Sequence, residues 1–271
     1  MTVITSFSNQ KVKLIRKLEQ KKYRKETSQF FIEGLRIVGE AVQTGAPLET
    51  LVIAPDLLVS DFGRSLLEHP ALQNVERIDV SAEIYQKIAH REGPLGIGAV
   101  LKQNWQSLDR ILVGPDDLWV ALDAVSDPGN LGTIIRTAES VGCRGVILLG
   151  HSTDPYDPTA VKASMGALFS LELAQADWES LQNWGQTNQI TLVGTSDSAI
   201  KDYQSLDYPH PLILLMGSER HGLSAEMQSV CDFMVTIPME GRSDSLNLAA
   251  ATAVMLYEIY NQTRKLEKIN A

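Results

Sequence analysis

Three polar clusters in the second half of the chain carry side chains suited to group transfer, and each follows a short apolar run. They are DAVSDPGNLGTIIRTAESVG (residues 123–142), LLMGSERHGLS (214–224) and IPMEGRSDSLNLAAATAVMLYE (237–258). Open α/β sheets bind ligands beyond the carboxyl ends of their strands, so all three clusters are placed for binding or catalysis. In the first, Asp127-Pro128-Gly129 makes a turn, Asn130 can cap the next helix, and Gly132 permits close backbone approach. Arg136 follows Asn130 by six residues, within two turns of that helix. In the second, Gly217 and Gly222 flank Ser218 and Glu219 in a loop able to wrap a ligand, and Ser224 suits the N-cap of another helix. In the third, Ser245 suits the N-cap of a long last helix, whereas Asn247 has less structural reason to be there. Taken singly, each cluster reads equally well as a capped helix with surface polar residues.

Other chemistries lack their signatures. There is no G-x-G-x-x-G after the first strand, no G-x-x-x-x-G-K-[ST] loop and no G-x-S-x-G elbow. The five histidines are scattered, and Cys143 and Cys231 belong to no metal-type or redox-type spacing. Buried free thiols in a reducing compartment are expected, and with them a cytoplasmic protein. No apolar run approaches the roughly 20 residues needed to span a bilayer, and the N-terminus has no secretory h-region.

Strand-like runs at 118–125, 144–150, 167–173, 189–196, 211–217 and 232–239 must position the clusters. Several are apolar throughout, the pattern of strands buried on both faces of a mostly parallel sheet. The last helix, from Ser245 to about Lys265, is apolar most of the way round, so more than one of its faces should be buried. A subunit interface would account for this. The first hundred residues alternate helix and strand less strongly. A helix is expected over 9–25, then strands at 48–55, 75–80 and 96–102, with Ser81 as an N-cap. The expected division is 1–104 as a small α/β domain, 105–117 as a linker, and 118–271 as the larger α/β domain.

The charge is unevenly spread. Residues 1–25 hold eight cations, Lys11, Lys13, Arg16, Lys17, Lys21, Lys22, Arg24 and Lys25, against Glu19 alone, a net of +7. The whole chain is −9, so the remaining 246 residues carry −16. Such asymmetry suits a basic arm that meets a polyanion, although a solvated helix face would look the same.

N-x-G-x-x-x-R after a strand, then M-G-S-E-x-x-G-L-S, then I-P-M followed by S-L-N before an alanine-rich helix, resembles in order the three signature motifs of the SpoU (TrmH) family of the SPOUT class. The likeness covers about residues 118–262. Residues 1–104 resemble the ribosomal-protein-like RNA-binding domain of that family's ribosomal-RNA enzymes, through the basic start, FFIEGLRIVGEA and GPLGIGAV.

The resemblance implies S-adenosylmethionine-dependent 2′-O-methylation of a ribose in structured RNA, most simply ribosomal RNA, by a homodimer without a metal. It implies a C-terminal domain tied in a deep trefoil knot, a rare exception to the rule against knots. Thr195, Gly217, Ile237, Met239 and Leu246 would line the cofactor pocket. Arg136, Asn130, Glu219, Ser245 and Asn247 would be the catalytic set. Arginine keeps its proton, so Arg136 suits a grip on phosphate and a developing alkoxide better than the role of base. Lys11, Lys13, Lys17, Lys21, Lys22, Arg24 and Lys25 would contact RNA phosphates. Transfer RNA as substrate, methylation of a base nitrogen, and a non-catalytic RNA-binding or ribosome-assembly protein are the competing readings.

Overall fold

The two sheets differ in kind, and the apolar pattern of their strands explains why. The computed structural model describes residues 2–89, 95–242 and 245–270. GPLGIGAV lies partly outside that range. Two compact units form: residues up to Asn104 with Asp154–Ser170, and Trp105–Thr153 with residues from Leu171 onward.

The first unit carries the helices α1 (Gln10–Lys17), α2 (Lys21–Thr27), α3 (Leu35–Gln43), α4 (Asp61–Leu67) and α5 (Ala82–Ile88). Its strands β1 (Gln29–Glu33), β2 (Leu48–Ile53), β3 (Glu76–Asp79) and β4 (Ile97–Lys102) lie in the order β1-β4-β2-β3. Pairing is antiparallel except for β2 with β3. Val12, Ile15 and Leu18 of the N-terminal segment pack with Val52, Val80, Ile84 and Ile88 in its core. Ser81 caps α5, accepting from Ile84 N at 3.3 Å.

The single helix expected over 9–25 is in fact two. Leu18 N donates to both Leu14 O and Ile15 O, tightening the last turn, and Gln20 N turns back to Lys17 O. The carbonyls freed at the break are not wasted, because Nη1 of Arg24 donates to Leu18 O and Glu19 O. A break is stable only where such orphan groups find partners.

The second unit holds β5 (Trp105–Gln106), β6 (Leu118–Asp123), β7 (Gly145–Leu149), β8 (Glu172–Ala176), β9 (Thr191–Thr195), β10 (Lys201–Asp202), β11 (Leu212–Met216) and β12 (Phe233–Thr236). They form one sheet in the order β10-β12-β9-β11-β6-β7-β8-β5, parallel at every pairing. Strands β6, β7 and β11 are buried almost end to end, as continuous apolar runs require in a sheet covered on both faces. The helices α6 (Pro128–Ser140), α7 (Pro158–Ser164), α8 (Trp178–Thr187), α9 (Ala225–Val230) and α10 (Leu248–Asn270) complete the chain, and α6 packs on α10. Helix α7 belongs to the first unit, the other four to the second.

Three sequence expectations change. The stretch 105–117 is no plain linker, because Trp105 and Gln106 pair with β8 as an edge strand of the large sheet. The strand expected over 167–173 begins only at Glu172, since Ala167–Phe169 coil into a 3₁₀ turn. Residues 154–170 fold with the first unit, where the Tyr156 ring meets that of Phe30 at 4.6 Å and Tyr156 Oη accepts from Asn104 N. A hydrophobicity pattern reports periodicity, not which neighbour a segment packs on.

Candidate active site

All strands of the second sheet run the same way, so their C-terminal ends share one edge. Register places Met216 beside Leu122 of β6, and Thr195 beside Val235 of β12. The segments leaving β6, β9, β11 and β12 therefore emerge side by side. These segments carry Ser126–Asn130, Thr195, Gly217–Glu219 and Ile237–Met239.

Local chemistry then decides which side chains are free to act. Asp127, not Asn130, caps α6: its carboxylate accepts from Asn130 N at 2.6 Å, and Pro128 occupies the first helical position. Asp before Pro is a strong start signal, and it leaves the Asn130 side chain uncommitted to capping. The third cluster changes in the same way. Asn247, not Ser245, caps α10, with Oδ1 accepting from Ala249 N at 2.9 Å and Ala250 N at 3.3 Å. Ser245 is exposed two residues earlier. Ser224 does cap α9, accepting from Met227 N.

These caps fix one polar chain. Because Oδ1 of Asn247 serves the helix, its Nδ2 is the group left to donate, and it reaches Asn130 Oδ1 at 3.0 Å. Asn130 in turn donates from Nδ2 to Glu219 Oε1 at 3.4 Å. Ser126 donates to Glu219 Oε2 from both its N–H, at 3.2 Å, and its hydroxyl, at 3.1 Å. Asp127 N–H adds a contact to Oε1 at 3.4 Å. Burial opposes ionisation of Glu219, but the Ser126 and Asn130 donors outweigh it and hold the carboxyl below its ordinary value. Glu219 is thus an acceptor-only anchor at neutral pH. Ser126 was not singled out in the sequence, and Asp127 was read there as part of a turn, although Asp before Pro is the pattern that could have shown the cap.

Arg136 stands on α6 six residues beyond Asn130, about 9 Å along the axis. It is exposed, and among the described residues no carboxylate or carbonyl pairs with its guanidinium. The other reactive types are withdrawn. Burial pushes the Cys143 thiol far up and that of Cys231 up to about 12, so neither is a thiolate nucleophile. Among the described residues no group of three or more His, Cys, Asp or Glu side chains is placed to hold a metal ion.

Of the expected cofactor residues, Thr195, Gly217 and Ile237 stand at or just beyond the ends of β9, β11 and β12. Thr195 ends β9 and donates from its hydroxyl to Met216 Sδ at 3.5 Å. Gly217 follows β11, and a Cβ there would stand 2.2 Å from Gly222 C and 2.4 Å from Leu223 N. The loop closes on itself through Ser218 and Gly222, which exchange backbone hydrogen bonds. Gly217→Ala is expected to force this loop open and to cost about 1–3 kcal/mol in thermal unfolding; an unshifted transition would show that the loop yields freely. Met239 and Leu246 are 39% and 38% exposed, and Ile237 is half-buried. Grooves of about 520 Å³ against α8 and β9, and about 1010 Å³ beyond β7 and β8, include none of these residues.

The chain is similar to known proteins over nearly its whole length. The SpoU rRNA methylase family model matches residues 117–257, and the MRM3-like substrate binding domain model matches residues 9–99. The chain belongs to the SpoU rRNA methylase family. Among its relatives, a 23S rRNA (uridine(2479)-2′-O)-methyltransferase of Streptomyces viridochromogenes is 35% identical over 247 residues, covering 88% of this chain and 85% of that one. The 23S rRNA (guanosine(2553)-2′-O)-methyltransferase of Bacillus subtilis is 28% identical, covering 96% and 99%. The crystal structure of an AdoMet-bound rRNA methyltransferase from Sinorhizobium meliloti is 36% identical, with a TM-score of 0.87, covering 96% of this chain and 97% of that one. The SpoU family match thus takes in all three polar clusters, except the last residue of the third.

Proposed function

We propose that the protein methylates a ribose 2′-hydroxyl of structured RNA, ribosomal RNA in the first place, using S-adenosylmethionine. The observation that carries this is the Asn247–Asn130–Glu219 chain at the ends of parallel strands. The types of the expected cofactor residues fit the group. An adenosine needs apolar contact and backbone hydrogen-bonding groups, and Ile237, Met239 and Leu246 with the strand ends at Thr195 and Gly217 offer both. These five residues would hold S-adenosylmethionine, which supplies an electrophilic methyl group when bound.

The remaining work falls to the polar side chains. A ribose hydroxyl is a poor nucleophile, so the site must align its oxygen and stabilise the charge that develops there. Asn130 and Asn247 each keep an amide hydrogen beyond those spent in the chain, and these orient the ribose. Glu219 holds Asn130 in place. Arg136 stays protonated and offers a two-pronged donor to a phosphate or to the forming alkoxide. Asn247→Asp separates capping from orientation: the cap is kept and the donor to Asn130 is lost. Methyl transfer is expected to fall about tenfold or more with the thermal transition unmoved. Equal activity would reduce Asn247 to a helix cap.

The RNA meets the N-terminal helices in this reading. Lys13, Lys17, Lys21, Lys22 and Lys25 are exposed, and the Lys17 and Lys22 ammonium groups lie 5.0 and 5.8 Å from the Tyr23 ring centroid. Lys11 is partly spent on Glu76. The protein works as a cytoplasmic homodimer; Tyr257 of α10, 47% exposed, supports an interface on that helix. A trefoil knot in the C-terminal domain completes the proposed architecture.

The test is a tritium-methyl transfer assay with purified protein, labelled S-adenosylmethionine and separate unmodified ribosomal and transfer RNA pools, followed by nucleoside analysis. Label in a 2′-O-methyl nucleoside from ribosomal RNA is the expected result. Label from transfer RNA alone would move the substrate, and label on a base would overturn the reaction.

A further inference from the structure

We propose that Ser126 is a positioning residue for methyl transfer, acting through Glu219 on the Asn130 carboxamide, an inference that rests on the functional reading above. Ser126 lies in the turn between β6 and α6. Its N–H and hydroxyl both donate to Glu219 Oε2, at 3.2 and 3.1 Å. The two donors on Oε1, from Asp127 N and Asn130 Nδ2, are both longer, at 3.4 Å. The carboxylate is therefore held mainly from the Ser126 side.

What depends on that hold is the orientation of an amide. A carboxamide can flip, exchanging its oxygen and nitrogen, and only its partners decide between the two states. Flipped, Asn130 would set Nδ2 against Nδ2 of Asn247 and Oδ1 against the Glu219 carboxylate. Both contacts are repulsive, so a well-held carboxylate allows one state alone. Asn247 cannot adjust, because its Oδ1 is committed to Ala249 and Ala250. Without the serine hydroxyl, Oε2 keeps a single backbone donor, and the exposed Glu219 side chain is free to turn toward water. Asn130 then loses the partner that orders it. Among the described residues the Ser126 side chain bonds to Glu219 and to none of the expected cofactor residues, so the loss should appear in turnover and not in cofactor affinity.

The experiment compares wild type, Ser126→Ala and Ser126→Thr in steady-state methyl transfer to the RNA pool that wild type labels. Ser126→Ala is expected to lower kcat about tenfold with KM for S-adenosylmethionine and the thermal midpoint unchanged, and Ser126→Thr to recover most of kcat. Wild-type kcat in Ser126→Ala, or equal losses in both variants, would overturn the inference. A wild type that transfers no methyl would take down the functional reading and this inference with it. An active wild type with an unimpaired alanine variant would remove this inference alone.

Discussion

Arg136→Ala is expected to lower methyl transfer by about 10²–10³, the loss typical of removing one donor aimed at a developing oxyanion. Cofactor binding and fold should be untouched. The structural basis is the side chain's lack of other employment. Arg136 is exposed on α6, and among the described residues no acceptor occupies its guanidinium. Its neighbours on the buried side, Ile134 and Ile135, carry the packing, so truncation removes no core contact. A guanidinium cannot serve as a base near neutral pH, so the loss measures charge stabilisation and alignment. Arg136→Lys keeps the charge without the fork and should recover only part of the rate. Single-turnover tritium transfer, with calorimetric titration of S-adenosylmethionine, checks both halves. Full activity in the alanine variant would remove Arg136 from the mechanism.

The second large effect concerns a residue that the sequence placed on the RNA. Arg24 is 1% exposed and belongs to the core of the first unit. Its Nε donates to Asp154 Oδ2 at 2.7 Å, its Nη2 to Asp157 Oδ2 at 3.2 Å, and its Nη1 to the carbonyls of Leu18 and Glu19. It cannot reach a phosphate without abandoning four bonds. Arg24→Met would leave two carboxylates, one of them buried, without their counter-charge. Removing one partner of a buried ion pair costs about 3–5 kcal/mol, and that loss should appear in urea unfolding of the variant. The exposed lysines behave oppositely. Lys21→Ala and Lys25→Ala should shift stability by no more than about 0.5 kcal/mol. They should weaken RNA binding and lower its salt dependence by about one unit of slope each. An Arg24→Met protein with normal unfolding and weakened RNA binding would reverse this assignment.

Arg24 shows where sequence reasoning stops. In KKYRKE nothing separates it from Lys22 or Lys25, because all three are cations on a short helix with similar neighbours. The difference is Asp154, 130 residues away, brought into the first unit by the 154–170 segment. The caps give a finer lesson. Asn130 and Ser245 are good cap types, but Asp127 and Asn247 take those roles. Competition among adjacent candidates is settled by fractions of a hydrogen-bond geometry, which composition does not resolve.

By itself the sequence determined what is governed locally. Continuous apolar runs specified strands buried on both faces and hence a parallel sheet, and Ser81 and Ser224 marked their helix starts. The order of three polar clusters carried the family likeness. Only the tertiary structure decided who meets whom. Asn130 and Glu219 are 89 residues apart, and Asn130 and Asn247 are 117 apart. They touch because the strand order sets β11 against β6 and packs α10 on α6. Local hydrogen-bonding and burial preferences act over a few residues and are written in the chain. Contacts between distant segments depend on which strands neighbour one another, and that choice belongs to the whole fold.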